Sequence, residues 1–320
     1  MNLPTATAAT EPPRRGAISL VLGSGGARGY AHIGVIEELR AHGYEIRSVA
    51  GSSMGALVGG VYAAGKLSEY RDWAVGLKTF DVLRLVDWSW RGGGLIKGQR
   101  VIGALRDLVG EMNIEDLPIS YTAVAVDIDA QREVWFSRGS LFDAIRASIS
   151  IPTVFRPHHY QGRRLVDGGL LNPVPVTPTL RDLTDATIAV DVNAEAEGVA
   201  ERETPITRPE IREPDEEGRS TGLGRIGALW ERFLENRSKR VTIHEPGVLD
   251  LFARSLDVVQ ETLTRYKLAA QPPDLVIPIP RNVCAFYEFQ RAAEVIEIGR
   301  QRTREALARW QRIKRPQVWP

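Results

Sequence analysis

Leu20-Val21-Leu22-Gly23-Ser24-Gly25-Gly26-Ala27-Arg28-Gly29-Tyr30, followed farther along by Val49-Ala50-Gly51-Ser52-Ser53-Met54-Gly55-Ala56, reads as two strand-to-turn-to-helix junctions in succession. The first turn is glycine-rich and carries a cation; the second is centred on a serine. Residues 17–22 form a short apolar run bounded by glycines, which suits a strand buried on both faces. From Tyr30 the period changes, and Ile33, Val35, Ile36 and Leu39 fall on or near one helical face that ends around Gly43. Residues 46–50 are the next short strand, and the small residues 56–64 make a helix stopped by Gly65. Strand, helix, strand, helix predicts an α/β fold, a parallel sheet with helices on both faces.

Working outward, helical patterns occupy 67–78 and 99–109, separated by a loop with Trp88, Trp90 and three consecutive glycines. That loop reads either as a surface connection with its tryptophans packed inward or as a mobile wall of a substrate site. Strands are expected at 121–127 and 132–136, and a helix at 141–148 stops before Pro152. Residues 164–166 lead into Asp167-Gly168-Gly169, and 186–192 is another buried strand. Residues 195–220 hold nine acidic and four basic side chains with prolines at 205, 209 and 214. Such a stretch buries too little apolar area to offset its ordering entropy. Beyond it come an amphipathic segment (Leu223, Ile226, Trp230, Phe233, Leu234), a helix over 249–267, a short strand at 274–277 and a long helix over 286–313. The organisation expected is a disordered leader over 1–16, a core over 17–193, a disordered acidic insertion over 194–222 and a mainly helical part over 223–320 that packs on the core.

With 43% hydrophobic and 25% charged residues the chain reads as a soluble globular protein. Its 41 basic and 40 acidic side chains nearly cancel, which argues against a nucleic-acid partner. A lone Cys284 can form neither an intramolecular disulfide nor a cysteine metal cluster, and it points to a reducing compartment. No apolar run reaches the ~20 residues that span a bilayer. A cytoplasmic protein is expected, with any membrane contact peripheral. Residues 300–315 hold seven basic residues and one acidic, interleaved with Leu307, Trp310 and Ile313. This segment reads either as an interfacial helix on anionic lipid or as a terminal helix packed on the core with a solvated basic face.

The chemistry begins with Gly51-Ser52-Ser53-Met54-Gly55. Glycines flanking a serine after a buried strand permit a sharp turn that lifts the hydroxyl above the sheet edge, with a helix N-terminus beneath it. Ser53 then stands in the nucleophile position; the plainer alternative is a tight turn with Ser52 or Ser53 as an N-cap. A serine needs a base. After Asp167 the chain has one histidine, His244, which fits a Ser-Asp-His order badly. His32 and the pair His158-His159 read as packing or surface groups, with His158 or His159 as base left as an alternative. Asp167 is the better candidate, because Asp-Gly-Gly after an apolar strand presents a carboxylate at the same sheet edge, where it can accept a proton directly. In the glycine loop, successive small residues let peptide N–H groups converge at a helix start, where negative charge is favoured. A nucleotide cradle uses the same physics, but Arg28 stands where a dinucleotide fingerprint wants Gly or Ala, and no Gly-Lys-Ser/Thr is present.

Gly23-Ser24-Gly25-Gly26-Ala27-Arg28-Gly29, Gly51-Ser52-Ser53-Met54-Gly55 and Asp167-Gly168-Gly169, in this order, resemble the patatin-like phospholipases, and more closely their bacterial branch related to neuropathy target esterase. Tyr30 to Ile36, Ala144 to Ser148 with Ile151-Pro152, and Asn172-Pro173-Val174-Pro175 are similar to that branch too. The resemblance covers about 17–193. It implies a three-layer α/β/α fold with a mostly parallel sheet, and a Ser–Asp dyad without histidine. Carried over, Ser53 is the nucleophile and Asp167 the base, while N–H groups around Gly25 and Gly26, with Arg28 nearby, stabilise an oxyanion or lipid phosphate. Ser24 stands where plant patatins have a further glycine. The implied activity is serine acyl hydrolysis of phospholipids or lysophospholipids, with no cofactor and no metal. The alternative is a catalytically weak lipid-binding or regulatory module on the same fold. Headgroup, acyl chain and oligomeric state are left open.

Overall fold

The computed structural model describes residues 15–77, 98–197 and 248–314. One sheet contains β1 (Gly16–Leu22), β2 (Tyr44–Ser52), β3 (Ser120–Asp127), β4 (Arg132–Phe136), β5 (His158–Tyr160), β6 (Arg163–Asp167), β7 (Ala186–Ala194) and β8 (Leu275–Pro280). Its order is β5-β6-β3-β2-β1-β7-β8, with β4 also paired to β3. The run from β3 to β8 is parallel throughout, and β4, β5 and β6 join antiparallel. Helices α1 (Ala31–Ala41), α2 (Met54–Ala63), α3 (Leu67–Gly76), α4 (Gln99–Val109), α5 (Leu141–Ser148), α6 (Val248–Ala270) and α7 (Ala292–Lys314) surround it.

β1 shows why the sheet needs cover on both faces. Ile18, Leu20 and Leu22 join a large core with Ile33 and Ile36 of α1, Val58 of α2, Ile145 of α5 and Val295 of α7. Val21, pointing the other way, joins Val174, Val176 and Ala189, against which Leu268 of α6 packs. Alternate residues of one strand thus enter separate cores, and the fold is the expected three-layer α/β/α arrangement. Tyr121 of β3 ties the sheet to α2, its fully buried hydroxyl donating to the Ala56 carbonyl at 2.7 Å. Tyr121→Phe is expected to cost about 1 kcal/mol in urea unfolding, the net worth of one buried hydrogen bond, without shifting the denaturant slope.

The chain forms two compact units, Met1–Glu197 with Phe252–Pro320, and Gly198–Leu251; the second lies almost wholly outside the described residues. Residues 252–314 therefore belong to the same unit as 17–193, and β8 extends the sheet beyond β7. That strand runs on through Pro278 and Pro280, past the expected 277, because an edge strand tolerates residues that cannot donate to a ladder. α7 begins at Ala292, not 286: the Glu288 carboxylate takes the Ala285 N–H and the Arg291 guanidinium, and a short 3-10 turn intervenes. β5 lies outside the expected strands, since His158-His159-Tyr160 shows no apolar alternation; it is held by pairing with β6, with Tyr160 packed on Phe136 and His158 on Asp143. Arg15 and Gly16, expected in the leader, are ordered by the Arg15 N–H bond to Gly43 O and by β1. Residues 1–14, the Trp88 and Trp90 loop, 198–222 of the acidic stretch, the Leu223 to Leu234 segment and His244 lie outside the described residues.

In α7, Leu307 is buried and Trp310 stacks on Tyr44 with ring centroids 6.3 Å apart. Arg300 pairs with Glu37 and Glu297, Arg302 with Glu197 and Glu305, and Arg304 with Glu38 and Glu297. Of its two readings, the packed terminal helix is the one these contacts describe; Ile313 is left exposed. Among the described residues no helix is long and apolar enough to cross a membrane.

Candidate active site

The site is built where two strands share one edge of β3. β2 pairs with β3 as far as Ser52 opposite Val124, and β6 pairs with the next residues, placing Asp167 opposite Ala125. β4 covers 123–127, overlapping both partners in register, so it must occupy the other edge. β2 and β6 therefore meet end to end on the same edge, one parallel to β3 and the other antiparallel. The last residue of β6 comes to lie beside the turn that leaves β2.

At that turn Ser53 has φ 55° and ψ −123°, a left-handed conformation costly for a residue with a side chain. The flanking glycines are demanded by space: a Cβ on Gly51 would come within 2.4 Å of the Gly55 carbonyl oxygen, and one on Gly55 within 2.0 Å of the Leu22 carbonyl oxygen. The Ser53 hydroxyl donates to Asp167 Oδ2 at 2.6 Å, and both residues are 3% exposed. The strained backbone is held from behind. The Ser53 N–H donates to Ser148 Oγ at 2.9 Å, and that hydroxyl donates to the Val124 carbonyl at 2.6 Å. Ser53 does stand at the N-cap position of α2, but its side chain caps no helix N–H, the hydroxyl being given to Asp167.

Asp167 accepts a second bond, from the Gly169 N–H to Oδ1 at 2.7 Å. Burial raises its pKa to about 7; the Ser53 and Gly169 hydrogen bonds act in the opposite sense but offset only part of the desolvation. The group is thus poised to exchange a proton near neutrality.

The glycine loop is a 3-10 turn, Gly26–Tyr30, that leads into α1. The three successive carbonyls just before it are clamped by side chains. His32 Nε2 bonds Gly23 O at 2.8 Å, Asn193 Nδ2 donates to Ser24 O at 2.8 Å, and Arg28 Nε donates to Gly25 O at 3.2 Å. In a trans peptide the N–H of the next residue points opposite to the carbonyl, so these clamps orient the N–H groups of Ser24, Gly25 and Gly26. The Ser24 N–H is spent on Pro173 O at 2.8 Å, and the Ala27 N–H on Phe286 O at 2.9 Å. The N–H groups of Gly25 and Gly26 have no acceptor among the described residues.

Of the predicted site residues, Ser53 and Asp167 meet directly. Arg28 is buried, with its guanidinium on Gly25 O, Arg281 O and Asp257 Oδ1, the last at 2.8 Å. All three of its nitrogens are bonded within the protein, so it braces the loop. His32 is fully buried, and desolvation lowers its pKa to about 4, which leaves it neutral and donating to Gly23 O. His158 lies on Asp143 at 3.1 Å. Neither histidine touches the Ser53 hydroxyl, which is given to Asp167. Sequence reasoning missed the roles of Ser148 and Asn193. Ser148 closes a short amphipathic helix and carries no signal of its own, and Asn193, two residues after Asp191 near the end of an apolar strand, has its place at the sheet edge as its one signal.

A family model described as Patatin-like phospholipase matches residues 20–180. An uncharacterized NTE family protein of Mycobacterium tuberculosis is 41% identical over 327 residues, covering 91% of each chain. Neuropathy target esterase sws of Drosophila melanogaster is 32% identical over 186 residues, 56% of this chain and 13% of that one. Among solved structures, VipD from Legionella pneumophila aligns over 93% of this chain and 67% of that one, with a TM-score of 0.45 at 13% identity.

Proposed function

Since the chain belongs to the patatin-like phospholipase family, and within it to the NTE proteins, we propose that it is a serine lipid acyl hydrolase working through a Ser53–Asp167 dyad and an acyl-enzyme. Family membership supports lipid hydrolysis in general; the dyad reading rests on one observation. A serine hydroxyl on a strained strand-to-helix elbow donates at 2.6 Å to a buried carboxyl with a raised pKa.

In the proposed reaction Asp167 accepts the Ser53 proton as Oγ attacks the ester carbonyl. The developing oxyanion is taken by the Gly25 and Gly26 N–H groups, which need no reorientation because their peptide planes are already clamped. Protonated Asp167 then donates to the departing alcohol oxygen, leaving the acyl group on Ser53. Water gives one proton to the same carboxylate as it attacks the acyl carbon, and Asp167 returns that proton to Ser53 Oγ as the fatty acid leaves. Arg28, His32 and Asn193 hold the loop, and Ser148 holds the elbow. The substrate class proposed is a phospholipid or lysophospholipid, reached by peripheral contact with a lipid surface.

The test is labelling of the purified protein by a fluorophosphonate probe, with hydrolysis measured on a panel of phospholipids, lysophospholipids and short-chain esters. Labelling that disappears in Ser53→Ala, together with fatty-acid release, is the expected result. A protein that neither labels nor releases fatty acid would instead be a lipid-binding or regulatory module on this fold.

A further inference from the structure

α6 lies outside the 20–180 stretch that matches the family model, yet it brings a polar side chain to the dyad. Gln260 is 4% exposed. Its Oε1 accepts from the Ser24 hydroxyl at 3.2 Å and from Asn193 Nδ2 at 3.4 Å. The orientation of this carboxamide follows from the network. Asn193 Nδ2 also bonds the Ser24 carbonyl, which can only accept, so the Gln260 atom facing Asn193 must be the oxygen. Nε2 is therefore turned the other way, toward Gly169. A Cβ on Gly169 would lie 2.6 Å from Gln260 Nε2, 2.8 Å from Ser24 Oγ and 3.0 Å from Asp167 Oδ1. The amide nitrogen thus reaches the Asp167 side of the site through the space that glycine leaves empty, and it donates to no acceptor among the described residues.

The position is rigidly supported. Asp257, three residues earlier on α6, holds Arg28 at 2.8 Å; Lys267 holds Glu133 at 2.7 Å; and Leu268 packs on the second core. A donor fixed in a largely buried side chain, with no protein acceptor among the described residues, is placed to serve one that a ligand brings.

We propose that Gln260 Nε2 is a substrate-binding donor that recognises the oxygen-bearing alcohol portion of the ester, so that α6 selects glyceryl leaving groups over simple ones. The inference rests on the ester-hydrolase reading above. In that reaction the carbonyl oxygen is taken by the Gly25 and Gly26 amides. The substrate atom that must approach Asp167 is the leaving oxygen, because it receives the proton. On this reading the Gln260 donor, which shares the space over Gly169 with Asp167 Oδ1, serves the alcohol side, where a glyceryl group offers further oxygens and a nitrophenyl group offers none nearby. A site built to hydrogen-bond such an oxygen discriminates against an analogue that lacks it.

The experiment compares kcat/KM for lauroyl lysophosphatidylcholine and for p-nitrophenyl laurate, which share an acyl chain. Gln260→Met keeps the length of the side chain without its donors. The ratio of the two constants, glyceryl over nitrophenyl, is expected to fall roughly tenfold. Ser24→Ala, which frees Oε1 and loosens the carboxamide, is expected to move the ratio in the same direction by less, and it serves if the methionine variant folds poorly. An unchanged ratio in both variants, with both esters slowed alike or the apparent pKa of kcat/KM shifted, would overturn the inference in favour of action through Asp167. Wild-type protein that hydrolyses neither ester and takes no fluorophosphonate would overturn the esterase reading itself, a different outcome from an active enzyme whose ratio does not move.

Discussion

Ser53→Ala and Asp167→Asn are each expected to lower kcat/KM for ester hydrolysis by at least about 10⁴-fold, and the double variant to fall no further. The magnitude follows from the two residues acting as one unit. Without the hydroxyl no acyl-enzyme can form, and without the carboxyl the proton of a 2.6 Å hydrogen bond has no acceptor. What survives is the catalysis supplied by the loop amides and by binding alone, about 10³–10⁴ over water in comparable serine enzymes. Neither change removes volume from the core, so both variants should fold. Circular dichroism and gel filtration establish that, and turnover on a lysophospholipid reads the loss. Single variants with unequal losses that add in the double variant would mean that Ser53 and Asp167 work independently, contrary to a dyad.

The pH profile is expected to carry the next largest effect. Asp167 must be ionised to accept the serine proton, and burial sets its pKa at about 7. Well below that value kcat/KM should fall tenfold per pH unit, by about 50-fold between pH 7 and pH 5. An ordinary exposed carboxylate would leave activity flat over that interval, because its pKa lies near 4. Stability is linked to the same shift. Between roughly pH 4 and pH 7 the folded protein keeps a proton on Asp167 that the unfolded chain releases, so this group's contribution to stability declines as pH rises through the window and levels off above about 7. Asp167→Asn lacks that penalty. Its stability relative to wild type should therefore be greater at pH 8 than at pH 5, by up to a few kcal/mol, as measured by urea unfolding at the two pH values. The same substitution would thus gain stability where it loses activity, a signature that a purely structural aspartate would not give.

Much of this architecture was legible in the chain because it is local. The apolar run before Gly23, the helical spacing from Ile33 to Leu39 and the glycines around Ser53 each act within a few residues, through backbone sterics and the burial of one face. The segments at 99–109, 132–136 and 141–148 are found at those bounds for the same reason. Misjudged features depended on distant neighbours. β8 runs through two prolines because no described strand pairs on its outer side, and α7 starts late because Glu288 takes the Ala285 N–H. Arg28, which sequence alone offered as a cation for the substrate, is occupied by Asp257 from a helix 229 residues away in the chain.

By itself the sequence determined an α/β sheet with a serine at one strand-to-helix elbow, a glycine loop at another, and an aspartate at the end of an apolar strand. Each of these follows from φ, ψ and burial within one element. The tertiary structure decided that Ser53 meets Asp167 and, among the described residues, no histidine, because β6 enters the edge of β3 at the residue where β2 leaves it. It also decided that the peptide planes of the loop are clamped by His32, Asn193 and Arg28, and that Gln260 reaches the dyad over Gly169. These are matters of strand register and, for Ser53 with Asp167, Asn193 with Ser24 and Gln260 with Ser24, of contacts between groups more than a hundred residues apart. They are set by the packing of the whole sheet between its helices, which no local spacing encodes.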